Sequence, residues 1–187
     1  ENSFIIGFVG TLQVWYGLDT LINAMPHILK EVPNAKLLFV GDGQAREHLK
    51  NRVNEIGLAD KVLFIGSKPH KEIPEILKTL DVAAATYVDL PTKFFGSAIK
   101  LFEYLAAGKA IVASNIGQIP EIIKHEENGL LVEPGNPQQI AKAVIQIATN
   151  SSLKNRLETA AQTCGKQYSW ENYAKELITI YNNLIQN

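Results

Sequence analysis

Cysteine is nearly absent: Cys164 is the only one in 187 residues. Neither a disulfide framework nor a thiolate metal cage can therefore form within the chain, and that usage fits a reducing compartment. Charge of one sign is also lacking. With 18 basic and 19 acidic side chains the formal net charge is −1, which gives no bulk drive toward nucleic acid or an anionic membrane. No apolar run approaches the ~20 residues of a transmembrane helix, and no signal peptide precedes the first expected strand. The chain opens at Glu1 without a methionine and reads as a segment of a longer protein. Phosphate-binding loops ending Gly-Lys-Ser/Thr, HExxH zinc motifs and Gly-x-Ser-x-Gly elbows do not occur. His27, His48, His70 and His125 are scattered without ligand spacing and read as surface residues. Internal repeats are lacking too.

What is present suits a globular α/β protein. Apolar residues make up 46% and charged residues 20%, and a chain this long buries roughly 70% of its unfolded surface without staples. Short apolar runs bounded by glycine read as covered strands: Phe4 to Val9, Lys36 to Val40, Val62 to Ile65, Val82 to Ala85, Ala110 to Ala113 and Gly129 to Val132. Between them lie helical stripes. Leu18, Leu21, Ile22, Met25, Ile28 and Leu29 form the first, which Pro26 should kink or split. Leu49, Val53 and Ile56 form the next, stopped by Gly57, and Pro69 opens one carrying Ile73, Ile76, Leu77 and Leu80. Asn136 caps a helix with Pro137 at its first position. Another runs from about Ser152 to Ala161, and Ser169 caps a last one with Trp170, Tyr173, Leu177, Ile180 and Leu184 on one face.

About six strand–helix alternations with short connections predict a doubly wound, Rossmann-like parallel sheet. Residues 1–187 read as one domain, with 150–187 as C-terminal helices packing on it. In such sheets ligands bind at the carboxyl ends of the strands, where the strand order reverses. Gly10, Gly41 with Gly43, Gly66, Gly96 and Gly117 all fall at those ends. Each alone reads as a tight turn, and together they favour a rim that accommodates phosphate. Gly41-Asp42-Gly43-Gln44-Ala45-Arg46 nearly matches the dinucleotide fingerprint. It has Arg46 in place of the third glycine and follows the second strand rather than the first, which argues against a NAD-type site. Trp15-Tyr16 reads as a stacking platform or as packing at a core or domain interface.

The stretch Gly96–Glu121 organises the rest. Ser97 is expected to cap a helix carrying Ala98, Leu101, Phe102 and Leu105, stopped by Gly108 and followed by a buried strand. Lys100 stands in the first turn, where the helix dipole disfavours a cation unless an anion shares that end. Glu103, three residues on, lies on a largely apolar helix and should be partly covered. Its partner is either Lys100, in a salt bridge, or a pair of sugar hydroxyls.

These residues carry a resemblance. Gly10 with Gly17-Leu18 and Leu21-Ile22-Asn23-Ala24 is one piece. Leu38-Phe39-Val40-Gly41-Asp42-Gly43 and Val62-Leu63-Phe64-Ile65-Gly66 follow. The most specific run is Leu101-Phe102-Glu103-Tyr104-Leu105-Ala106-Ala107-Gly108-Lys109-Ala110-Ile111-Val112-Ala113-Ser114. Gly117, Ile119-Pro120-Glu121, Asn128-Gly129-Leu130-Leu131-Val132 and Ser169-Trp170-Glu171 complete the order. Together they resemble the C-terminal, donor-binding domain of retaining GT-B-fold glycosyltransferases, the sucrose-synthase and glycogen-synthase-like group (glycosyl transferases group 1).

The resemblance implies one half of a GT-B architecture that holds a nucleotide-sugar donor, of UDP or GDP type, without a metal or other cofactor. The residue matching Glu103 would bind the ribose hydroxyls. Backbone amides of Gly96, Ser97, Ala98 and Ile99 would meet the diphosphate, with Lys100 a candidate for stabilising the leaving group. Gly10 and Thr11 would lie at the phosphates, Gly41 on the same rim, and Gly66 to Lys68 near the base. A hexosyl unit would pass with retention to a glycan or lipid-linked acceptor recognised by an N-terminal domain, which helices 150–187 would face. No nucleic-acid partner is implied. Work in the cytoplasm at the inner membrane face, in polysaccharide biosynthesis, is the corresponding expectation.

Three positions depart from the family's pattern. Thr11 and Tyr16 stand where an arginine and a lysine usually meet the phosphates, and Phe95 where a glutamate touches the donor sugar. The Gly-Ser-x-x-Lys pattern of Gly96 to Lys100 occurs in some members, so Lys100 is expected to take over part of the lost neutralisation. The departures keep two alternatives open: a non-catalytic partner subunit that binds nucleotide weakly or not at all, and a sugar-nucleotide epimerase of the same fold.

Overall fold

Alternate residues of each strand face opposite sides of a sheet, and here both sides are apolar. The computed structural model describes residues 3–88 and 98–185. Its strands are β1 (Phe4–Val9), β2 (Ala35–Val40), β3 (Val62–Phe64), β4 (Val82–Ala85), β5 (Ala110–Ser114) and β6 (Leu130–Val132). They form one sheet in the order β3-β2-β1-β4-β5-β6. Every ladder is parallel.

One face carries Ile6, Phe8, Leu37, Phe39, Val82, Val112 and Leu130. It is covered by α1 (Leu18–Glu31), α2 (Arg46–Glu55) and α6 (Pro137–Thr149). The other carries Val9, Val40, Ala83, Ala85, Ile111 and Ala113, under α3 (Ile73–Lys78), α4 (Ile99–Ala106) and α5 (Ile119–Ile122). The helix α7 (Ser151–Gln167) contributes Leu153 and Leu157 to the first core and Ala161 to the second. The last helix, α8 (Trp170–Ile185), buries none of its residues. Among the described residues no helix is long and apolar enough to cross a membrane.

The chain runs outward from β1 to β3 and then returns to lay β4 beside β1. That reversal sits between β1 and β4, and there the two strands part early. Their ladder joins only Ile6 to Val82 and Gly7 to Ala83, whereas β1 stays paired with β2 through Val9 and Val40. A buried strand that leaves its ladder exposes backbone groups that need partners. Tyr104 of α4 supplies them: its hydroxyl accepts from the Val9 amide at 2.9 Å and lies 3.4 Å from the Val9 carbonyl. The phenol is fully buried, and burial pushes its pKa well up. It therefore works as a neutral two-way hydrogen-bonding wedge that holds the crevice open.

Several helix ends follow the chemistry of their residues. Asn136 accepts from the Gln139 amide at 3.0 Å, Asn150 from Leu153 at 2.9 Å and Ser169 from Asn172 at 3.2 Å. Three local expectations are corrected. Pro26 does not split α1, which runs unbroken. The missing amide costs one hydrogen bond, but Ile22, Met25 and Ile28 around it are fully buried and hold the helix by packing. The cap of α4 is Ala98, which has no side-chain acceptor, rather than Ser97. The helix α7 extends well beyond Ala161, because Gly165 lets it lie against α4 where any side chain would meet the Ala106 amide at 2.7 Å. Gly117 lies in a turn at φ +57°, as its reading as a tight turn has it, and the short helix α5 follows.

Candidate functional site

The loops after β1, β2 and β3 are tied into one rim. The Gly10 amide donates to Val40 and the Gly41 amide to Gly66, both at 2.9 Å. Gly41 has φ +136°, and a Cβ there would stand 1.9 Å from the Gly10 carbonyl oxygen, so the position admits no side chain. Gly43 lies against Leu12, whose backbone exchanges hydrogen bonds at 3.0 Å with Asp42 and Ala45. The glycines of the near-fingerprint thus interlock two loops of the sheet edge, which accounts for them without a dinucleotide.

Below this rim opens a cleft of about 400 Å³, at the ends of β1 and β2 and between the β3–α3 connection and α4. Gly10 and Thr11 line its floor, and Gly41, Asp42, Ser67 and Lys68 one wall. Ile99, Lys100 and Glu103 of α4 form the other wall. Seven of the eleven residues singled out for a ligand therefore line one space: Gly10, Thr11, Gly41, Lys68, Ile99, Lys100 and Glu103. Gly66 stands just behind, bonded to Gly41, and Ala98 is buried at the start of α4. Gly96 and Ser97, like Phe95, lie outside the described residues.

Lys100 is the unusual group. It stands in the first turn of α4 yet is only 8% exposed. Its ammonium lies 3.6 Å from the centre of the Tyr16 ring, 5.1 Å from Phe8 and 5.5 Å from Tyr87. Among the described residues it has no carboxylate partner within ion-pair distance. The rings hold the cation through their negative faces, but they do not replace lost water. Burial brings its pKa down from 10.5 to about 8, only partly offset by the Glu103 charge. Among the described residues this buried cation has no carboxylate to match it, and it stands at the end of a helix that favours anions.

The salt bridge between Lys100 and Glu103 is accordingly not formed. The Glu103 carboxylate, about one-third exposed, faces the cleft instead, and its ion-pair partner is His70 across the opening, with Nε2 at 3.9 Å from Oε1. All four histidines are exposed, as expected, yet His70 is a wall residue of this cleft. Trp15-Tyr16 divides. Tyr16 packs against Phe8 and Tyr87 at ring distances of 5.4 and 5.3 Å, while Trp15 stays 39% exposed. Sequence reasoning missed Phe8, Tyr87 and His70, because only the sheet order brings them to α4. Among the described residues no three His, Cys, Asp or Glu side chains gather as a metal site.

The cleft thus offers a cation with no carboxylate partner among the described residues, a helix start whose Ile99 and Lys100 amides precede the first intrahelical hydrogen bond, from Leu101 to Ala98, and a carboxylate about one-third exposed three residues on. That set suits an anion joined to a hydroxyl-bearing group.

Comparison with known proteins agrees in kind. Residues 1–164 match the family described as glycosyl transferases group 1. An uncharacterized glycosyltransferase of Methanocaldococcus jannaschii is 36% identical over 182 residues, 97% of this chain and 45% of that protein. A GDP-mannose-dependent alpha-(1-6)-phosphatidylinositol monomannoside mannosyltransferase of Mycobacterium tuberculosis is 30% identical over 169 residues, 86% of this chain and 43% of its own. The crystal structure of Anabaena Alr3699/HepE in complex with UDP superposes with a TM-score of 0.84 at 24% identity, over all of this chain and 50% of that one, and so shares the fold. The chain spans about half the length of the curated relatives it matches.

Proposed function

The chain belongs to the glycosyl transferases group 1 family, and we propose that its cleft takes the nucleoside-diphosphate sugar of a retaining glycosyltransferase. The observation that carries this reading is the pairing on α4 of a buried cation, without a carboxylate partner among the described residues, with a carboxylate three residues on, both lining one cleft. The diphosphate would lie between Gly10 and Thr11 and the start of α4, at Ala98 and Ile99 and, outside the described residues, Gly96 and Ser97. Lys100 would supply its counter-charge. The ribose would be held by Glu103, and the base would rest toward Gly66 and Lys68.

As the bond from the sugar to the diphosphate breaks, negative charge grows on the leaving oxygen. A cation and helix-start amides held at that end of the donor would stabilise that charge with little reorganisation. The donor is of UDP or GDP type; the UDP held by the Anabaena protein and the GDP-mannose named for the mycobacterial relative support either base. The hexosyl unit would pass to a glycan or lipid-linked acceptor bound by an N-terminal domain. Residues 1–187 would form one unit, whose exposed α8 face of Trp170, Tyr173, Ile180 and Leu184 would meet that domain.

Calorimetry of the 187-residue chain with UDP, GDP and ADP tests the reading. It expects binding of UDP or GDP tighter than ~1 mM, about −4 kcal/mol, and no sugar transfer by this chain alone. Lys100→Ala should weaken binding about tenfold, ~1.4 kcal/mol, and a change under about twofold refutes the role given to Lys100. Thr11 and Tyr16, at positions where the family's usual cations are missing, favour a second reading as a non-catalytic partner subunit. Silence toward all three nucleotides at millimolar concentration decides for it.

A further inference from the structure

His70 sits 33 residues before Glu103 and on the far side of the crevice. Its backbone is fixed by a single 3-10 turn, His70–Glu72, closed by the Glu72 amide on the Pro69 carbonyl at 2.9 Å. The following α3 is anchored in the core by Leu77. The imidazole itself contributes little to the fold. Its side chain is 80% exposed, and its partner is the Glu103 carboxylate at 3.9 Å. That separation is too long for a hydrogen bond, and so exposed a pair adds little stability.

The spacing has a different meaning if a third atom enters. A hydroxyl oxygen about 2.8 Å from both Nε2 and Oε1 would subtend roughly 90° between them, so it can accept from an imidazole N–H and donate to the carboxylate at once. Resting on the donor-site reading, we infer that His70 is a second ribose-binding residue, which closes over a sugar hydroxyl shared with Glu103. The bridge needs His70 as the Nε2–H tautomer. It joins the β3–α3 connection to α4 across the open side of the cleft, so ribose is gripped from both walls and the diphosphate is directed toward Lys100.

Calorimetry with UDP, GDP and their 2′,3′-dideoxy forms tests this in the 187-residue chain, in His70→Ala and in His70→Gln. The exposed position leaves folding intact, which an unchanged thermal midpoint verifies. His70→Ala should weaken the ribonucleotide that binds by about fivefold, the size of one hydrogen bond, and leave its dideoxy form unchanged. His70→Gln, which keeps an N–H donor, should recover most of the loss. An equal loss on both forms, or a change below twofold on the ribonucleotide, overturns the inference while the donor site stands. Absence of nucleotide binding by the unsubstituted chain overturns the donor-site reading itself.

Discussion

Replacing Lys100 by methionine should make the chain more stable at neutral pH while removing the cation of the cleft. Lys100 is 8% exposed, and burial lowers its pKa from 10.5 to about 8. Below pH 8 the folded and unfolded chains both carry the proton, so the burial penalty is fully present. Between 8 and 10.5 the folded chain releases its proton first, and the penalty lifts. The gap between those two values corresponds to about 3 kcal/mol. The cation's attraction to the Tyr16, Phe8 and Tyr87 rings returns about 1–2 kcal/mol of it, and methionine keeps sulfur–aromatic contact in the same space. The net expectation at pH 7 is a gain of about 1–2 kcal/mol for Lys100→Met, a rise in Tm of about 3–6 °C for a chain of this size. Urea unfolding at about pH 7 and about pH 9.5 reads it directly. At the higher pH about 2 kcal/mol of the penalty is already gone, so the advantage should close. A variant less stable than its parent at pH 7 by more than about 1 kcal/mol, or a gap identical at both pH values, refutes the claim that Lys100 is a buried cation held for function.

Three more outcomes follow from the same geometry. Nucleoside-diphosphate affinity should be flat below pH 8 and fall by up to about tenfold per pH unit above it, because the anion selects protonated Lys100; titration calorimetry should find the slope absent in Lys100→Met. Tyr104→Phe leaves the buried Val9 amide and carbonyl unpaired, and chemical denaturation should show a loss of about 1–3 kcal/mol. Gly41→Ala would press a methyl group to 1.9 Å from the Gly10 carbonyl at φ +136°. A loss of about 3 kcal/mol or more is expected, with thermal melts as the measure.

The strands were legible because each is a short apolar run between glycines, and a buried parallel strand requires that pattern. The odd placement of Lys100 was legible too, since a cation in a first turn opposes the helix dipole. Its surroundings were not. Phe8, Tyr16 and Tyr87 come from three separated segments, and only the order β2-β1-β4 brings their rings to one ammonium. Tyr104 reads as one more core aromatic until the register shows β1 leaving β4 after Gly7. His70 lacked any local signal, being an exposed residue in a polar turn. Pro26 misled because local propensity was weighed without the fully buried Ile22, Met25 and Ile28 around it. Ser97 misled because good cap chemistry one residue early looks the same as a cap.

The most direct test of a nucleoside-diphosphate site in the cleft between the β3–α3 connection and α4 is amide chemical-shift mapping. A labelled 187-residue chain is titrated with UDP and with GDP. Shifts are predicted to concentrate at Gly10, Thr11, Gly41, Lys68, Ile99, Lys100 and Glu103, with a titration midpoint about tenfold higher in Lys100→Ala. Shifts gathered instead at the cavity between α1 and α6, around His27 and Gln146, or none at millimolar nucleotide, would contradict it.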